Sequence, residues 1–501
     1  HWFLDHPCPP DIIGINHYLS GERFLDERTH LYPGEPVGGN GEHAYVDVLA
    51  LRVLEAGVDG PQGLLRQAWQ RYGLPIAVTE AHNGCTREEQ LRWLQDVWQA
   101  AQALQAEGVD IRAVTVWSLL GCYDWNRLVT TDDGFYEPGV FDLRGPQPRA
   151  TELAQMLRSL ASAGVHAHPV LAAPGWWQRP GRFTYGFTLA KDGRQLPLPP
   201  TISLSTIPTT AAQPVVITGA TGTLGQAFAR ICELRGLPYR LLARRDLDIA
   251  DATSIAAALD ELQPWAVINA AGYVRVDAAE HEPTTCYREN ADGPALLAAA
   301  CATRNVQLLT FSSDLVFDGA KGAPYVESDG VAPLNVYGRS KAEAERRVLA
   351  AWPQALVVRA SAFFGPWDTY NFVTTALDAL ASGQQLEAAD DEVVSPTYVP
   401  DLVNTSLDLL IDGECGIWHL ANPGAISWAG LAQRVAELAG FDGMSVIARP
   451  GAAYERAAAR PAYSALSSER GILLPSFDDA LQRYMRTREA EPMVQARAVG
   501  A

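Results

Sequence analysis

The sequence predicts an α/β protein made of two bodies, and three observations support this. Its 501 residues exceed the size of one ordinary domain and favour two or three. In both halves, short apolar runs alternate with stretches of helical periodicity, a pattern typical of parallel βα units. Between the halves, residues 166–213 are rich in proline, and Leu196–Gln213 lacks either periodicity. This stretch therefore predicts a connecting segment.

Composition excludes several classes of protein. The formal net charge of −19 argues against nucleic acid or an anionic membrane surface as a partner. No window approaches the roughly 18 apolar residues that a membrane span needs, and no secretory signal is visible at the start. The seven cysteines are scattered without a C-x-x-C pair, which predicts reduced thiols in the cytoplasm and neither a disulfide framework nor a metal site.

The first body, residues 1–165, contains three short apolar runs that predict buried strands. They are Asp11–Asn16, Pro75–Thr79 and Ala113–Trp117. Leucine and valine recur at helical spacing over Arg87–Ala106, which predicts a helix. Within 166–213, the aromatic cluster Trp176–Phe187 is too apolar for a free tether, so we expect it to pack as a strap on one of the bodies.

The second body, residues 214–490, alternates more clearly, and residues 491–501 are expected to form a tail. Its predicted strands are Val215–Thr218, Tyr239–Ala243, Ala266–Asn269, Gln307–Ser312 and Leu356–Arg359. The first strand runs directly into a glycine-rich turn, Gly219-Ala-Thr-Gly222-Thr223-Leu224-Gly225, and an apolar helix follows. Such glycines allow a tight turn, close approach of a pyrophosphate to the helix N-terminus, and close helix–strand packing. The pattern predicts a doubly wound, Rossmann-type dinucleotide site.

The residues after the second strand bear on the choice of cofactor. Arg244 and Arg245 stand where an acidic residue would hydrogen-bond the ribose 2′-hydroxyl of NAD. Arginines there favour the 2′-phosphate, so NADPH is the predicted cofactor, with NADH as the alternative. Two solvated surface arginines are the other interpretation of this pair.

A tyrosine and a lysine four residues apart predict the catalytic group. On a helix, Tyr337 and Lys341 share one face. A neighbouring ammonium group should lower the phenol pKa from about 10 and prepare the hydroxyl to pass a proton to a carbonyl oxygen. The chain has only three lysines, so a chance Tyr-x-x-x-Lys match is rare.

With these residues in place, residues 214–490 resemble the extended short-chain dehydrogenase/reductase family, and within it the dTDP-4-dehydrorhamnose reductases. The resemblance rests on motifs spread along the segment: Leu247–Ile249, Asn269–Tyr273, Val276–Glu280, Asn290–Asp292, Ser312–Gly319, Pro333–Lys341, Asn371–Phe372 and Ser395–Thr397. It implies a small substrate-binding subdomain and the NADPH-dependent reduction of a nucleotide-linked 4-keto-6-deoxysugar. A homodimer is left open.

The resemblance also implies roles for individual residues. Ser313 would hydrogen-bond the keto oxygen, Tyr337 would donate the proton, and Lys341 would assist it and contact the ribose. The remaining implied contacts are Asp248 and Ile249 at the adenine, Ala270, Ala271 and Gly272 at the nicotinamide, and Asp314 and Asn371 at the substrate.

The segment departs from that family at two positions. Ala362 stands where an aromatic wall is usual, and Leu315 where a tyrosine is usual. Both departures concern the shape of the sugar pocket, and Phe363, Phe364 and Trp367 are candidates for replacing the wall. Two other functions stay open at this point. One is a nucleotide-sugar epimerase or dehydratase, for which Asp314 could serve as an acid. The other is a sugar-binding module without turnover, against which the intact Ser-Tyr-Lys set argues.

The first body resembles the last three barrel strands of family-one glycoside hydrolases, and so predicts a partial (β/α)8 barrel. The resemblance rests on Gly14–Tyr18, Val78–Glu80, Val116–Leu120 and Asp124-Trp125. By it, Glu80 matches the nucleophile, Asn16 and Tyr18 its neighbours, and Trp117 and Trp125 the sugar-stacking walls. However, Asp124 replaces a sugar-binding glutamate, and the chain contains no Asn-Glu-Pro acid/base motif. Hydrolysis needs a second carboxylate, so these residues are expected to be vestigial.

Overall fold

The computed structural model describes residues 2–201, 203–368 and 370–499 and divides the chain into two compact units. One unit comprises the residues up to Leu143 together with Arg149–Thr206, and the second comprises Arg144–Pro148 and the residues from Ile207 onward. The boundary after Thr206 lies inside the predicted connecting stretch. Among the described residues, no helix is long and apolar enough to cross a membrane.

The first unit is organised around two small sheets. A parallel sheet has the strand order β1-β5-β6, and an antiparallel sheet has the order β2-β4-β3. The strands of this unit are β1 Ile13–His17, β2 Arg23–Asp26, β3 Val37–Gly39, β4 Ala44–Leu49, β5 Ile76–Ala81, β6 Ile111–Val116, β7 Cys122–Tyr123, β8 Tyr136–Glu137, β9 Phe141–Asp142, β10 Arg149–Ala150, β11 Thr188–Leu189 and β12 Gln195–Leu196. Its helices are α1 Trp2–Asp5, α2 Gly60–Tyr72, α3 Arg87–Ala106 and α4 Glu152–Ala163.

The three predicted strands of the first unit correspond to β1, β5 and β6, and the helix α3 has the predicted bounds. The antiparallel sheet was not predicted. Its strand β3 is exposed throughout and contains two glycines, so no apolar alternation announces it.

The aromatic strap packs on the first unit. Trp177 is 7% exposed and meets Trp93 of α3 edge-to-face, with ring centroids 5.3 Å apart. Phe187 and Leu189 join a buried cluster with Tyr32. This burial of aromatic area holds the segment against the unit as far as β12.

The second unit is built on a six-stranded parallel sheet with the order β14-β13-β15-β16-β17-β22. Its strands are β13 Val215–Thr218, β14 Tyr239–Leu242, β15 Ala266–Asn269, β16 Gln307–Ser313, β17 Leu356–Ala360, β18 Phe363–Phe364, β19 Leu386–Ala389, β20 Val393–Val394, β21 Thr397–Tyr398, β22 Gly416–His419, β23 Ile426–Ser427 and β24 Val446–Arg449. Its helices are α5 Thr223–Arg235, α6 Ala252–Leu262, α7 Val276–Ala279, α8 Pro283–Tyr287, α9 Gly293–Arg304, α10 Val336–Ala351, α11 Phe372–Ala381, α12 Val399–Ile411, α13 Trp428–Leu438 and α14 Phe477–Val499.

The predicted doubly wound parallel sheet is confirmed. Helix α5 packs against α12, and α6 packs with α9, which in turn packs on α10. Strand β13 lies between β14 and β15, so the strand order reverses there. Ligands of open α/β sheets bind beyond the carboxyl ends of the strands at such a point. Only β22 of the six strands was not predicted.

A smaller subdomain of the second unit contains the short strand pairs β18–β21, β19–β24 and β20–β23. Helices α11, α13 and α14 pack with them around a buried cluster that includes Phe364 and Tyr398. The last helix runs through residues 491–499 of the predicted tail, and residues 500 and 501 lie outside the described residues.

Candidate functional site

The glycine-rich turn after β13 has the conformation that its sequence requires. Gly219 has a φ of +79°, and a Cβ there would lie 2.6 Å from the carbonyl oxygen of Ala270. A Cβ on Gly225 would lie 2.2 Å from the carbonyl oxygen of Gly219. Both contacts are with backbone, which cannot yield as a side chain can. These two glycines therefore allow α5 and the loop after β15 to approach the strand closely.

Gly222 is different, because a Cβ there would make only an ordinary van der Waals contact. It is the N-cap of α5, and the nearest atom to a Cβ there would be 3.5 Å away. Thr223 and Leu224 follow in the first turn of the helix, whose N–H groups and dipole favour an anion. A diphosphate can lie there against the backbone, so the turn fits the predicted dinucleotide.

The loop after β15 is held by a buried polar ladder. Thr218 Oγ1 donates to Asn269 at 2.8 Å, and Asn269 Nδ2 donates to Thr310 at 3.2 Å. The backbone N–H of Ala271 donates to Thr218 Oγ1. The ladder links the ends of β13 and β15 to the middle of β16, and it fixes the loop from Ala270 to Gly272 beside the glycine turn.

The expected adenine end contains a cluster of charges. The side chain of Arg244 is 62% exposed and pairs with Glu289, and that of Arg245 is 87% exposed. Arg288 donates to Asp248 at 2.8 Å, and this hydrogen bond lowers the pKa of Asp248. Arg288 and Glu289 were not predicted, because they lie about 45 positions after Arg244.

Ile249, by contrast, is 5% exposed and belongs to the hydrophobic core. Its side chain packs so closely on Gly293 that a Cβ on that glycine would lie 2.8 Å away. Asp248 thus lies among the exposed arginines, whereas Ile249 lies in the hydrophobic core.

The three predicted catalytic residues come together at the end of β16. Ser313 is the last residue of that strand. Helix α10 begins after Asn335, whose side chain caps it by accepting a hydrogen bond from Gly338 N at 2.7 Å. Lys341 Nζ lies 5.8 Å from the ring centroid of Tyr337 and donates to the carbonyl oxygen of Phe311 at 3.2 Å. The i, i+4 spacing therefore places both groups on the inner face of the helix.

The predicted direction of the tyrosine pKa is wrong for this structure. Burial raises the pKa of Tyr337, and Asp314 raises it further when that carboxyl group is ionised, while interaction with the Ser313 hydroxyl opposes this rise. Burial lowers the pKa of Lys341 to about 8. The lysine was visible in the sequence, whereas the desolvation and the carboxyl group were not. A raised pKa keeps the phenol protonated at neutral pH, which suits a proton donor.

Asp314 is itself buried and surrounded by hydroxyl groups. Ser313, Ser361 and Ser464 donate to its carboxyl oxygens at 2.9, 2.8 and 2.6 Å. Burial raises the pKa of this carboxyl group, and the three hydrogen bonds partly offset that rise. The last two serines were not predicted as site residues.

Two cavities meet at these residues. The first, of about 190 Å³, is lined by Leu224, the loop Ala270–Gly272, Phe363 and Lys341, and it lies on the cofactor side. The second, of about 380 Å³, is lined by subdomain residues that the sequence did not reveal, among them Trp428 and Arg460. Five residues line both cavities: Ser313, Asp314, Tyr337, Ser361 and Ala362. The geometry thus offers a proton donor where two ligands would meet.

Two arginines line the second cavity, and each forms an ion pair with a carboxylate. Arg456 pairs with Glu392, and its side chain is 27% exposed. Arg460 pairs with Asp277 at 2.7 Å and is 18% exposed. Ion pairing holds both guanidinium groups in place at the wall of the cavity, where they can still bind an anion.

Asn371 is not brought to either cavity. It is the N-cap of α11, where its side chain accepts from Thr374 N at 2.9 Å and donates to the carbonyl oxygen of Asp368 at 2.6 Å. Of the candidates for an aromatic wall, Phe363 lines the first cavity, Phe364 lies in the subdomain core, and Trp367 lies against Arg230.

In the first unit, the structure brings the predicted sugar-site residues to the carboxyl ends of β1, β5 and β6. Tyr18 donates to Glu80, and Thr79 donates to Asn16. The rings of Trp117 and Trp125 are 5.9 Å apart.

The carboxyl groups nearby are engaged elsewhere. Asp124 accepts from the backbone N–H groups of Gly134 and Phe135, and Glu137 pairs with His82 at 2.5 Å. Among the residues that the structure describes, no group of acidic, histidine or cysteine side chains could hold a metal ion.

Comparison with known proteins places the second unit. The family model described as the RmlD substrate binding domain matches residues 213–489. The dTDP-4-dehydrorhamnose reductase of Mycolicibacterium smegmatis is 36% identical over 292 residues, 58% of this chain and 87% of that protein. The dTDP-4-keto-6-deoxy-D-glucose reductase of Streptomyces niveus is 32% identical over 257 residues, covering 51% and 88%.

A solved structure agrees with these relatives. The dTDP-4-dehydrorhamnose reductase of Bacillus anthracis, in complex with NADP, is 28% identical with a TM-score of 0.52 and covers 55% of this chain and 99% of that one. The family model matches more than half of the chain, and the relatives are matched over most of their own length. The chain therefore belongs to the RmlD substrate-binding domain family.

Proposed function

We propose that the second unit is an NADPH-dependent reductase of a nucleotide-linked 4-keto-6-deoxysugar, of the type that converts dTDP-4-dehydrorhamnose to dTDP-rhamnose. The observation that carries this proposal is the position of Ser313 and Tyr337 where the two cavities meet, with Lys341 beside them. The names of the relatives, which are reductases of dTDP-linked keto sugars, support the same reaction.

The cofactor fits the residues present. The turn at Gly222 and the N-terminus of α5 would hold its diphosphate, and the exposed Arg244 would meet a 2′-phosphate. The loop Ala270–Gly272 and Lys341 line the cavity on the nicotinamide side. When bound, the cofactor supplies a hydride for the carbonyl carbon of the sugar.

The residues of the chain manage the proton. Tyr337 stays protonated because its pKa is raised, so it can donate to the carbonyl oxygen as negative charge develops there. The Ser313 hydroxyl, which lines both cavities, would hold that oxygen in place. Lys341 supplies a positive charge close to the phenol.

The second cavity supports a nucleotide-linked substrate. Arg456 and Arg460 are cationic groups of the kind that bind a diphosphate, and Trp428 offers an apolar wall for a base or sugar ring. The pairing of each arginine with a carboxylate would keep its affinity for free phosphate moderate.

The test is NADPH oxidation with dTDP-4-dehydrorhamnose and with dTDP-4-keto-6-deoxyglucose, followed by identification of the sugar product. We expect oxidation of one equivalent of NADPH per sugar reduced, and none without the keto sugar. Product formation without net oxidation of NADPH would favour an epimerase or dehydratase instead. Light scattering on the same sample distinguishes a monomer from a homodimer.

We further propose that the first unit is the C-terminal part of a family-one glycoside hydrolase-like barrel that does not hydrolyse glycosides. The parallel order β1-β5-β6 and the contact of Tyr18 with Glu80 support the likeness. The engagement of Asp124 and Glu137 by their own surroundings supports the lack of hydrolysis. We expect no release of nitrophenol from aryl glucosides, and Glu80→Gln should change nothing. Measurable release that depends on Glu80 would contradict this. A cytoplasmic location, favoured by the scattered thiols, remains part of the proposal.

A further inference from the structure

The carboxyl group of Asp314 lies in a cage of neutral hydroxyl groups. Ser313 donates to Oδ1 at 2.9 Å, and Ser361 and Ser464 donate to Oδ2 at 2.8 and 2.6 Å. These serines belong to three separate segments of the chain, and Asp314 is 6% exposed. The cage is a built feature of the site, since three distant backbone segments must converge to form it.

No cationic side chain among the described residues pairs with this carboxyl group. None of the ion pairs found among the described residues includes Asp314. The charged and titratable groups that line the cavities with it are Tyr337, Lys341, Glu392, Arg456 and Arg460. Arg456 is engaged by Glu392, and Arg460 by Asp277. A buried carboxylate without a counter-ion is costly, so burial favours the neutral acid and raises the pKa of Asp314.

The protonation state of Asp314 decides where the Ser313 hydrogen points. A serine hydroxyl has one hydrogen, and Ser313 Oγ also accepts from the backbone N–H of Leu315 at 3.1 Å. When Asp314 is ionised it only accepts, and its negative charge draws the Ser313 hydrogen to the carboxylate. When Asp314 is neutral, the acid can donate to Ser313 Oγ, and the serine hydrogen is released toward the cavity.

We propose that Asp314 is a positioning residue whose neutral form turns the Ser313 hydroxyl toward the carbonyl oxygen of the substrate. This inference rests on the proposed reductase function. Its consequence is an alkaline limit on kcat/KM: as pH rises through the titration of Asp314, Ser313 is recaptured by the carboxylate and the rate falls. Lys341 also titrates nearby, so substitutions must show which group causes the fall of kcat/KM at high pH, called the alkaline limb below.

The first test is Asp314→Asn. The amide N–H group can donate to Ser313 at every pH, and the amide oxygen can accept from Ser361 and Ser464, so the variant imitates the neutral acid. We expect wild-type kcat/KM to fall about tenfold per pH unit on the alkaline side. The variant should keep at least a tenth of the wild-type rate and lose that fall. An unchanged alkaline limb in the variant would overturn the proposal and assign the limb to another group.

A second variant moves the limb without altering Asp314. Ser464→Ala removes a hydrogen-bond donor that stabilises the carboxylate, so the pKa of Asp314 should rise. The alkaline limb should therefore move to higher pH by about one unit. The matched control is Ser406→Ala in α12, since Ser406 is equally buried but its hydroxyl has no partner in the described residues. A limb that stays in place in Ser464→Ala, or moves equally in the control, would contradict the proposal.

Infrared spectroscopy gives a readout that does not depend on turnover. We expect a carboxylic acid C=O stretch in the wild-type protein at neutral pH that disappears on raising the pH and is absent in Asp314→Asn. An ionised Asp314 throughout the pH range of full activity would overturn the proposal. If no keto sugar is reduced at all, the proposed function fails, and the infrared titration still decides the state of Asp314.

Discussion

A buried ion pair behind the catalytic residues should stabilise the second unit far more than a similar exposed pair on the same helix. Glu345 accepts from Arg359 through both carboxylate oxygens, at 2.8 and 2.6 Å, and the two side chains are 6% and 2% exposed. Ser312 also donates to Glu345, and His419 lies 3.2 Å from the guanidinium group. Glu345→Ala would leave the guanidinium group buried beside a neutral imidazole. Removing one partner of a buried pair costs about 3–5 kcal/mol, and we expect that loss here.

The control is Glu343→Ala, two positions earlier in α10. Glu343 pairs with Arg346, but these side chains are 33% and 69% exposed, so the expected loss is at most about 1 kcal/mol. Both changes replace glutamate with alanine in one helix, and their effects on helix propensity cancel in the comparison.

The free energy of unfolding is best measured within the second unit, because a chain of two units need not unfold in one step. Hydrogen exchange of β16 and β17 amides in urea, followed by mass spectrometry, reports on the two strands that carry Ser312 and Arg359. If both variants lost the same free energy, or Glu345→Ala lost less than about 1 kcal/mol, the buried pair would not stabilise the unit as argued.

Three further predictions test the site by substitution. Tyr337→Phe should leave NADPH binding nearly unchanged and lower kcat by about 10²–10⁴, as measured by NADPH oxidation; near-normal turnover would mean that another group donates the proton. Replacing Arg244 and Arg245 by alanine should abolish the preference for NADPH over NADH, which we expect to be modest because exposed charges contribute about 0.2–1 kcal/mol each; an unchanged preference refutes their role. In Gly225→Ala the new Cβ would lie 2.2 Å from a backbone oxygen, so this change should lower both stability and NADPH affinity. In Gly222→Ala the nearest atom would be 3.5 Å away, so this change should lower only the NADPH affinity, measured by fluorescence titration. Identical behaviour of the two variants would contradict the different roles assigned to these glycines.

The features that could be predicted from the sequence are those that depend on residues close together along the chain. Strands such as Val215–Thr218 and Ala266–Asn269 are buried at every position, so continuous apolar runs mark them. The glycine-rich turn follows at once, and its spacing alone indicates what it must do. Tyr337 and Lys341 are four residues apart, so helical geometry alone places them together.

The parts that it did not predict depend on contacts between distant segments. Ser361 and Ser464 reach Asp314 across 47 and 150 positions, and no local pattern connects them. The cavity residues Trp428 and Arg460 come from the subdomain, where short strands carry little periodicity. The predicted lowering of the Tyr337 pKa was wrong for the same reason. A neighbouring lysine is visible in the sequence, whereas burial is not.

The end of β16 shows how one strand can separate stability from chemistry. Ser312 and Ser313 are the last two residues of this strand. Each donates to a buried carboxyl group: Ser312 to Glu345, and Ser313 to Asp314. Glu345 has Arg359 as its partner in a buried ion pair, which ties the catalytic helix to the sheet. In the part of the chain that the structure describes, Asp314 accepts from three serine hydroxyl groups and pairs with no cationic side chain. A buried acid without a counter-ion can change its charge as the pH changes. On this reasoning, the difference between the two carboxyl groups allows the Ser313 hydroxyl to turn while the scaffold behind it stays in place.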